Sequence, residues 1–305
     1  MMSRLTRAMT WMCGMSMAFT LAQPVEAACI WVTAPTSVSF GSYYVYAGSP
    51  LDANMTFTLN CKRNERARLK LTRGTSSPSY NPRTMAGAAG TVGYNLFLDA
   101  AATTTIWGDG TSSTSFFDET NRDKNYDVTI YGRILAGLDV PAGTYSDTIT
   151  ATLTTDDANP DTRTFTVSVT VIPECSITAS DLLFGAYDPV IIHASTALPG
   201  SANVTVNCTK GTSVNLALNG GLAANGAKTA FGSRSMKRST ANEWLGYDIF
   251  TSSAYTTVWN SANVLSGVAG SKNANMSFTG FGVIPATQDV SAGTYNDTVT
   301  ATVNY

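Results

Sequence analysis

The chain contains a single histidine, His193, the only side chain whose ordinary pKa would let it act as a general base near neutral pH. A hydrolase of the Ser-His-Asp type would need this imidazole beside a nucleophile. His193 lies in the apolar run 190–194, and no nucleophile motif surrounds it. We interpret it as an ordinary strand or loop residue, so the sequence predicts no catalytic residue and no enzymatic activity.

Carboxylates are adjacent at positions 118–119 and 156–157, in polar segments that are typical of turns. Paired carboxylates can divide acid and base roles, but solvated turn residues are the simpler interpretation. Asp157, Asn159 and Asp161 have the spacing that opens a calcium loop, yet its glycine and its distal glutamate do not follow. The sequence predicts a turn here, with calcium as the alternative, and otherwise no metal and no cofactor.

Four cysteines remain when Cys13 of the N-terminal segment is set aside: Cys29, Cys61, Cys175 and Cys208. Four cysteines allow three pairings. The two halves of the chain have nearly the same cysteine spacing, which selects Cys29–Cys61 and Cys175–Cys208. Disulfides of this kind indicate an exported protein in an oxidising compartment.

The N-terminal segment, residues 1–27, has the organisation of a secretory signal peptide. Arg4 and Arg7 precede an apolar run, and small or aliphatic residues follow where signal peptidase acts. We predict cleavage after Ala27, because the apolar run is shorter than the roughly 18–20 residues of a membrane span. Lipidation at Cys29 is the alternative for such a segment.

Composition excludes some partners and predicts the fold class. The formal net charge is −2, which is too small to indicate binding to nucleic acid. No long stretch has the 3.6-residue period of a helix, whereas short alternating segments are separated by turn residues. The sequence therefore predicts an all-β protein.

A long internal repeat divides the chain. Residues 139–153 recur at 289–303 with eleven of fifteen positions identical. Each copy is a turn followed by an alternating strand, and the Phe-Gly, Asn-Cys and Gly-Tyr-x-x-Phe motifs repeat in the same order. We predict two domains of one fold, at 28–172 and 173–305.

Only the first domain continues past the repeated strand. Residues 162–172 alternate polar and apolar side chains, so the apolar set faces one way. That set is Phe165, Val167, Val169 and Val171. We predict that this strand completes domain one, whereas only two residues follow Val303 and domain two lacks its final strand.

A sandwich without its last strand has an uncovered apolar groove and an open sheet edge, which a strand from another chain can fill. Alternation and the repeat indicate the groove walls. We predict Val299, Ala301 and Val303 on one wall, and Ile177 and Phe184 on the other.

The ordered motifs resemble the spore coat protein U family. They are Cys, Phe-Gly, Asn-Cys, Arg-x-Met, Gly-Tyr-x-x-Phe, Trp and Ala-Gly-Thr-Tyr-x-Asp-Thr-x-Thr, present twice. The family includes subunits of Csu-type, archaic chaperone–usher pili. The resemblance implies immunoglobulin-like sandwiches of the pilin type, a periplasmic chaperone, an outer-membrane usher and a neighbouring pilin that donates a strand.

The resemblance also implies a position in the fibre. After the predicted cleavage a single residue precedes Cys29, so we expect this chain to accept a strand and to donate none. That is expected of a two-domain tip adhesin. We therefore expect export through the periplasm to the pilus tip on the cell surface, and attachment to abiotic or host surfaces in biofilm formation.

Aromatic and apolar residues in predicted loops of domain one are the candidates for surface contact, because the resemblance implies apolar loop tips that exclude water. They are Tyr43, Tyr44, Tyr46, Ile106, Trp107, Phe116 and Phe117. Trp107 has the counterpart Trp259, and the tyrosine loop has Tyr187. A core role is the alternative for these positions.

Two other functions stay open. A structural protein of a spore or cell coat would share the fold without forming a fibre. A secreted carbohydrate-binding module or hydrolase is the third hypothesis, although no catalytic constellation supports hydrolysis.

Overall fold

The computed structural model describes residues 29–62, 65–120, 124–156, 159–223 and 234–305. All regular secondary structure in these ranges is β-strand, as the composition predicts. The predicted signal peptide lies outside them. Across the described residues, the chain has no helix that is long and apolar enough to cross a membrane.

Ten strands are present in the residues of domain one that the structure describes. They are β1 (Cys29–Thr33), β2 (Ser37–Tyr43), β3 (Leu51–Cys61), β4 (Arg66–Leu71), β5 (Arg83–Gly87), β6 (Gly90–Phe97), β7 (Phe117–Thr120), β8 (Lys124–Ile134), β9 (Gly143–Thr154) and β10 (Asp161–Val171). The strand order is β1-β3-β8-β6-β5-β9-β10-β2, and β4 pairs with both β7 and β9. This curled sheet encloses one apolar core as a sandwich.

The strand predicted over 162–172 is present as β10, in the interior of that order. Its antiparallel ladder with β9 runs from the Asp161–Leu153 pair to the Val171–Gly143 pair. On its other side β10 pairs in parallel with β2. The four predicted inward side chains are all buried: Phe165, Val167, Val169 and Val171. Full burial of such a side chain stabilises a fold by about 1.5–3 kcal/mol, so β10 is a major part of the core.

Nine strands are present in the described part of domain two. They are β11 (Cys175–Ala179), β12 (Leu198–Cys208), β13 (Ser213–Leu218), β14 (Arg234–Arg238), β15 (Trp244–Phe250), β16 (Leu265–Val268), β17 (Met276–Ile284), β18 (Tyr295–Asn296) and β19 (Ala301–Asn304). They form two sheets, ordered β11-β12-β17-β15-β14-β18 and β16-β13-β19. Among the described residues of domain two, no strand corresponds to β10.

Both domains contain the same buried polar centre. Arg83 and Arg234 are fully buried. Each guanidinium donates to the backbone carbonyl of a tryptophan, Trp107 at 2.5 Å and Trp259 at 2.7 Å. Burial lowers the pKa of Arg83 to about 10. The arginine and tryptophan of the repeated motifs are therefore structural, because they are fully buried and hydrogen-bonded to each other in both domains.

The predicted disulfides are both present. Cys29 is bonded to Cys61 and Cys175 to Cys208. In each domain the bond joins directly paired residues of the first two neighbouring strands in the sheet order. The two bonds therefore fix the same edge of both sandwiches.

Candidate functional site

The two domains differ where the described residues of domain two include no counterpart of β10. In domain one, β9 flanks β10 along its whole length, and β2 flanks it from Thr166 to Val171. The corresponding segments of domain two are 295–304 and 182–187. The first is broken into the short strands β18 and β19, and the second has no strand assignment. The two segments that hold β10 in domain one are thus the two that lose regular pairing in domain two.

Between these segments lies an open cleft of about 1350 Å³. Its floor is apolar and includes Leu218, Ile249 and the fully buried Trp259. Phe184 lines it from the 182–187 side and Val299 from the opposite side. The cleft has the position, the walls and the apolar character of the space that β10 fills in domain one.

Burial changes position by position, as expected if one strand is absent. Phe40 and Ile149 are buried in domain one, at 5% and 0% exposure. Their counterparts, Phe184 and Val299, are only half-buried. The polar–apolar alternation of 295–303 is retained in the burial pattern, with the inward positions half-buried and the others exposed. Domain two therefore presents a sheet edge whose inward-facing apolar side chains are only partly covered.

A polar anchor at the cleft is already in place. The hydroxyl of Tyr247 donates to Asp297 Oδ2 at 2.8 Å, as the hydroxyl of Tyr94 donates to Asp147 Oδ2 at 2.8 Å in domain one. Burial and the Asp297 carboxylate raise the pKa of Tyr247, so this hydroxyl stays protonated. This hydrogen bond holds the start of segment 295–304 in place. A strand that enters the cleft would therefore have to move this segment less.

The five residues predicted for the groove divide into two groups. Phe184, Val299 and Ala301 line the cleft. Ile177 and Val303 are not among its lining residues. Ile177 is 40% exposed on β11, at the outer edge of the larger sheet, so it cannot form the opposite wall. Val303 pairs with Leu216 of β13, beyond the end of the cleft.

The structure corrects the predicted surface-contact set of domain one. Tyr43 and Trp107 are core residues, at 2% and 0% exposure. The Tyr43 hydroxyl donates to the carbonyl of Leu135 at 2.8 Å, and the Trp107 indole donates to the carbonyl of Leu69 at 2.9 Å. Both residues recur in domain two because they hold the fold, so neither can contact an external surface.

The other five candidates do not form a shared exposed patch. Phe117 is half-buried and stacks on Trp107, with 6.1 Å between ring centroids. Ile106 and Phe116 are half-buried, and Lys70 lies over the Phe116 ring at 5.0 Å. Only two of the candidates, Tyr44 and Tyr46, are exposed.

Tyr46 faces the second domain instead of an outer surface. Its hydroxyl donates to Asn207 Oδ1 at 3.0 Å and to the carbonyl of Lys272 at 3.1 Å. Burial and the negative charges of Glu174 and Asp139 raise the pKa of Tyr46. The tyrosine loop therefore lies at the junction of the two domains, and the prediction that it is an adhesive tip is wrong for Tyr46.

Two residues bear on the alternatives of catalysis and metal binding: His193 and Asp157. His193 Nδ1 accepts the amide N–H of Asp188 at 2.8 Å, and its ring stacks on Tyr187. This is a loop-stabilising role. Asp157 lies outside the described residues, and among those described no group of three potential metal ligands occurs.

Sequence comparison then identifies the family. The profile of the Spore Coat Protein U domain matches twice, over residues 15–152 and 161–302. The chain belongs to the Spore Coat Protein U domain family. The first match covers domain one as far as β9, and the second begins at β10 and continues through domain two. The family domain therefore occurs twice in this chain, and the predicted resemblance is confirmed.

Individual relatives agree with this family and fold. Protein U of Myxococcus xanthus is 27% identical over 136 residues, which are 41% of this chain and 71% of that protein. A chain in the crystal structure of the CsuC-CsuE chaperone-tip adhesion subunit pre-assembly complex, from archaic chaperone-usher Csu pili of Acinetobacter baumannii, is 20% identical. It superposes with a TM-score of 0.52 and covers 91% of this chain and 100% of that chain. The likeness establishes the fold: two immunoglobulin-like sandwiches of the Spore Coat Protein U type.

Proposed function

We propose that this chain is the tip subunit and adhesin of a surface pilus that is assembled by a periplasmic chaperone and an outer-membrane usher. Domain two accepts a strand from the neighbouring pilin, and domain one faces the surface to which the cell attaches. The observation that carries the proposal is the cleft of domain two, which takes the place that β10 occupies in domain one.

The internal repeat supplies the expected binding mode. In domain one, β10 runs antiparallel to β9 and parallel to β2. A donor strand in domain two would run antiparallel to 295–304 and parallel to 182–187. Its main-chain groups would pair with both segments, and its alternate apolar side chains would cover Phe184 and Val299. Such a strand fits the cleft without any change of topology.

The proposal includes a chaperone for a physical reason. An exposed apolar cleft beside a sheet edge promotes aggregation until it is covered. A chaperone that covers the cleft in the periplasm, and an usher that exchanges it for the pilin strand, would remove this hazard. The Acinetobacter baumannii structure named above is of a chaperone-tip adhesion subunit complex, which supports this view.

Domain one is the adhesive part in this proposal, although some of the predicted contact residues are buried or lie at the domain junction. Ile106 and Phe116 are half-exposed and stay candidates. Both belong to the loop region 98–116, whose backbone is fixed by bridges such as Phe97–Ile106. We expect serine at both positions to reduce the attachment of piliated cells to polystyrene without changing the number of pili.

The acceptor role is tested with a peptide taken from the chain itself. Residues 161–172 form a strand that already fits one sandwich of this repeat, so the synthetic peptide is a suitable probe for the other. We expect it to bind the mature chain and to raise the melting temperature of domain two. A matched peptide with V167E and V169E should do neither, because the inward face would carry charges.

Failure of the wild-type peptide, together with a stable monomeric chain in the absence of chaperone, would refute the acceptor role. Electron microscopy of the cell surface separates the pilus from the coat hypothesis. The chain at the end of fibres supports the pilus, whereas a continuous layer supports a coat protein.

A further inference from the structure

The two domains contact each other beside the C-terminal end of β10. The Tyr46 hydroxyl meets Asn207 there, as described above. Lys272 donates through Nζ to the carbonyl of Val45 at 3.2 Å and through its amide N–H to Asp139 Oδ1 at 2.9 Å. Domain two therefore rests on the face of domain one from which β10 leaves.

Domain two has an equivalent face, built in the same way. The hydroxyl of Tyr187 donates to the carbonyl of Pro285 at 3.0 Å, as Tyr43 does to Leu135 in domain one. The segment 285–292 corresponds to 135–142, which contacts domain two through the Ala142 amide and the carbonyl of Lys210. The face that is covered in domain one is thus repeated in domain two, where the described residues leave the side chains at 190–192 exposed.

On this uncovered face stands a group of apolar side chains, here called the junction patch: Val190, Ile191 and Ile192. They are 79%, 77% and 59% exposed. Val190 also lines the cleft, whereas Ile191 and Ile192 do not. They belong to the loop between Tyr187 and β12, which corresponds to the loop that carries Tyr46 in domain one. Three adjacent large aliphatic side chains in solvent are unfavourable unless a partner covers them.

The junction patch is held in place by its own loop. The Asp188 carboxylate accepts the amide N–H groups of Val190 at 2.9 Å and of Ile191 at 3.1 Å. The His193 ring stacks on Tyr187 with 4.9 Å between centroids, and its amide N–H donates to the carbonyl of Asp188 at 2.8 Å. These hydrogen bonds and the ring contact hold the loop in a defined conformation, in which the three aliphatic side chains face the solvent.

We propose that the junction patch is the docking surface for the folded body of the subunit whose strand fills the cleft. This inference rests on the proposed acceptor function. The occupant follows from the repeat: β10 ends at Val171, and β11 of the next domain begins at Cys175. A donor strand with a comparably short link places its own domain against this face, as domain two is placed against domain one.

The chemistry of the expected partner follows from the comparison. At the junction between the domains, domain one supplies the Tyr46 hydroxyl and the Asp139 carboxylate, and domain two supplies Asn207 and Lys272. In domain two the corresponding loop offers three aliphatic side chains. The partner's loops that correspond to 207–212 and 271–275 should therefore present apolar side chains instead of Asn207 and Lys272.

The test is photo-cross-linking in intact surface fibres. Ile191, and separately Ile192, is replaced by p-benzoylphenylalanine in the full-length chain, and the cross-linked peptides are identified by mass spectrometry. Val268 is the matched control, because it is 63% exposed on β16 and does not line the cleft. We expect the yield at Ile191 to exceed that at Val268 at least fivefold, with the cross-link in the folded domain of the donor subunit.

Other results would overturn the proposal. A junction contact is contradicted if the cross-links reach only a chaperone or only the donor strand. It is also contradicted if Val268 cross-links equally, or if fibres that contain the variant show no cross-link. The peptide 161–172 separates this failure from failure of the acceptor role. If that peptide binds the wild-type chain and an I191S/I192S variant equally, the cleft is functional and only the cross-link decides the docking surface; if it binds neither, the proposed function itself fails.

Discussion

Phe165 and Ile149 are paired across the β9–β10 ladder, and both side chains are buried in the core of domain one. In domain two the position of Ile149 is taken by Val299, which lines an open cleft. The same site in two copies of one fold is therefore filled in one and vacant in the other. This pair gives a direct measure of what a missing strand removes.

Truncation of Phe165 should destabilise domain one strongly. F165A removes most of a buried aromatic side chain, and we expect a loss of about 3–5 kcal/mol in the free energy of unfolding. Urea unfolding of the mature chain, followed by tryptophan fluorescence, measures it. T166A on the exposed face of β10 is the matched control and should change the free energy by less than about 0.5 kcal/mol. Equal effects of the two variants would show that β10 is not a core strand.

Gly74 should tolerate no side chain, for two separable reasons. Its φ of +106° disfavours other residues, and a Cβ atom there would overlap the Asp147 carboxylate. Gly41 has a φ of +69° with open space around it. G41A should therefore lower the free energy of unfolding only through its unfavourable backbone conformation, by about 1–2 kcal/mol. G74A should lower the free energy of unfolding clearly more, because the steric overlap is added. Equal unfolding free energies for both variants, by urea titration, would contradict the packing of Asp147.

Removal of the Lys272 side chain should loosen the junction between the domains. K272M keeps the aliphatic stem and deletes the ammonium that donates to the carbonyl groups of Val45 and Gly137. We expect a broader distribution of interdomain distances in small-angle X-ray scattering, with each domain still folded. K237M is the control, because Lys237 lies over Trp244 within domain two. An unchanged scattering profile for K272M would show that the ammonium does not hold the domains together.

The Asp188 carboxylate should titrate below the ordinary value. Two backbone N–H groups, from Ile191 and Val190, lower its pKa. Because the folded pKa is depressed, the order of the loop is present above about pH 3.9 and is lost as the pH falls through the lower, folded pKa. NMR titration of the amides of Val190 and Ile191 should give a midpoint below 3.9. A midpoint at or above that value would mean that the carboxylate does not cap this loop.

The successes of sequence reasoning have a physical basis in periodicity and repetition. The alternation of Phe165, Val167, Val169 and Val171 has the two-residue period of a strand, so the buried face of β10 could be predicted. The matched cysteine spacing predicted both disulfides correctly. These features are encoded locally or between copies, and they require no knowledge of long-range packing.

The errors came from features that depend on three-dimensional neighbours. Tyr43 and Trp107 lie in segments that resemble loops, but both are core residues, in agreement with their counterparts Tyr187 and Trp259. Alternation cannot show at which edge of a sheet a strand lies, and Ile177 was therefore placed on the wrong side. The apolar run 190–192 has the composition of a buried strand, so its exposure as the junction patch is not evident from the sequence.

Hydrogen–deuterium exchange on the mature chain, with and without the 161–172 peptide, tests the central claim most directly. The claim predicts that amides in 182–187 and 295–304 exchange quickly in the free chain and are protected together when the peptide is bound. Protection should extend over alternate residues of both segments, because a strand between them pairs with each edge. Slow exchange of both segments in the free chain, or binding without their joint protection, would contradict a vacant strand position in domain two.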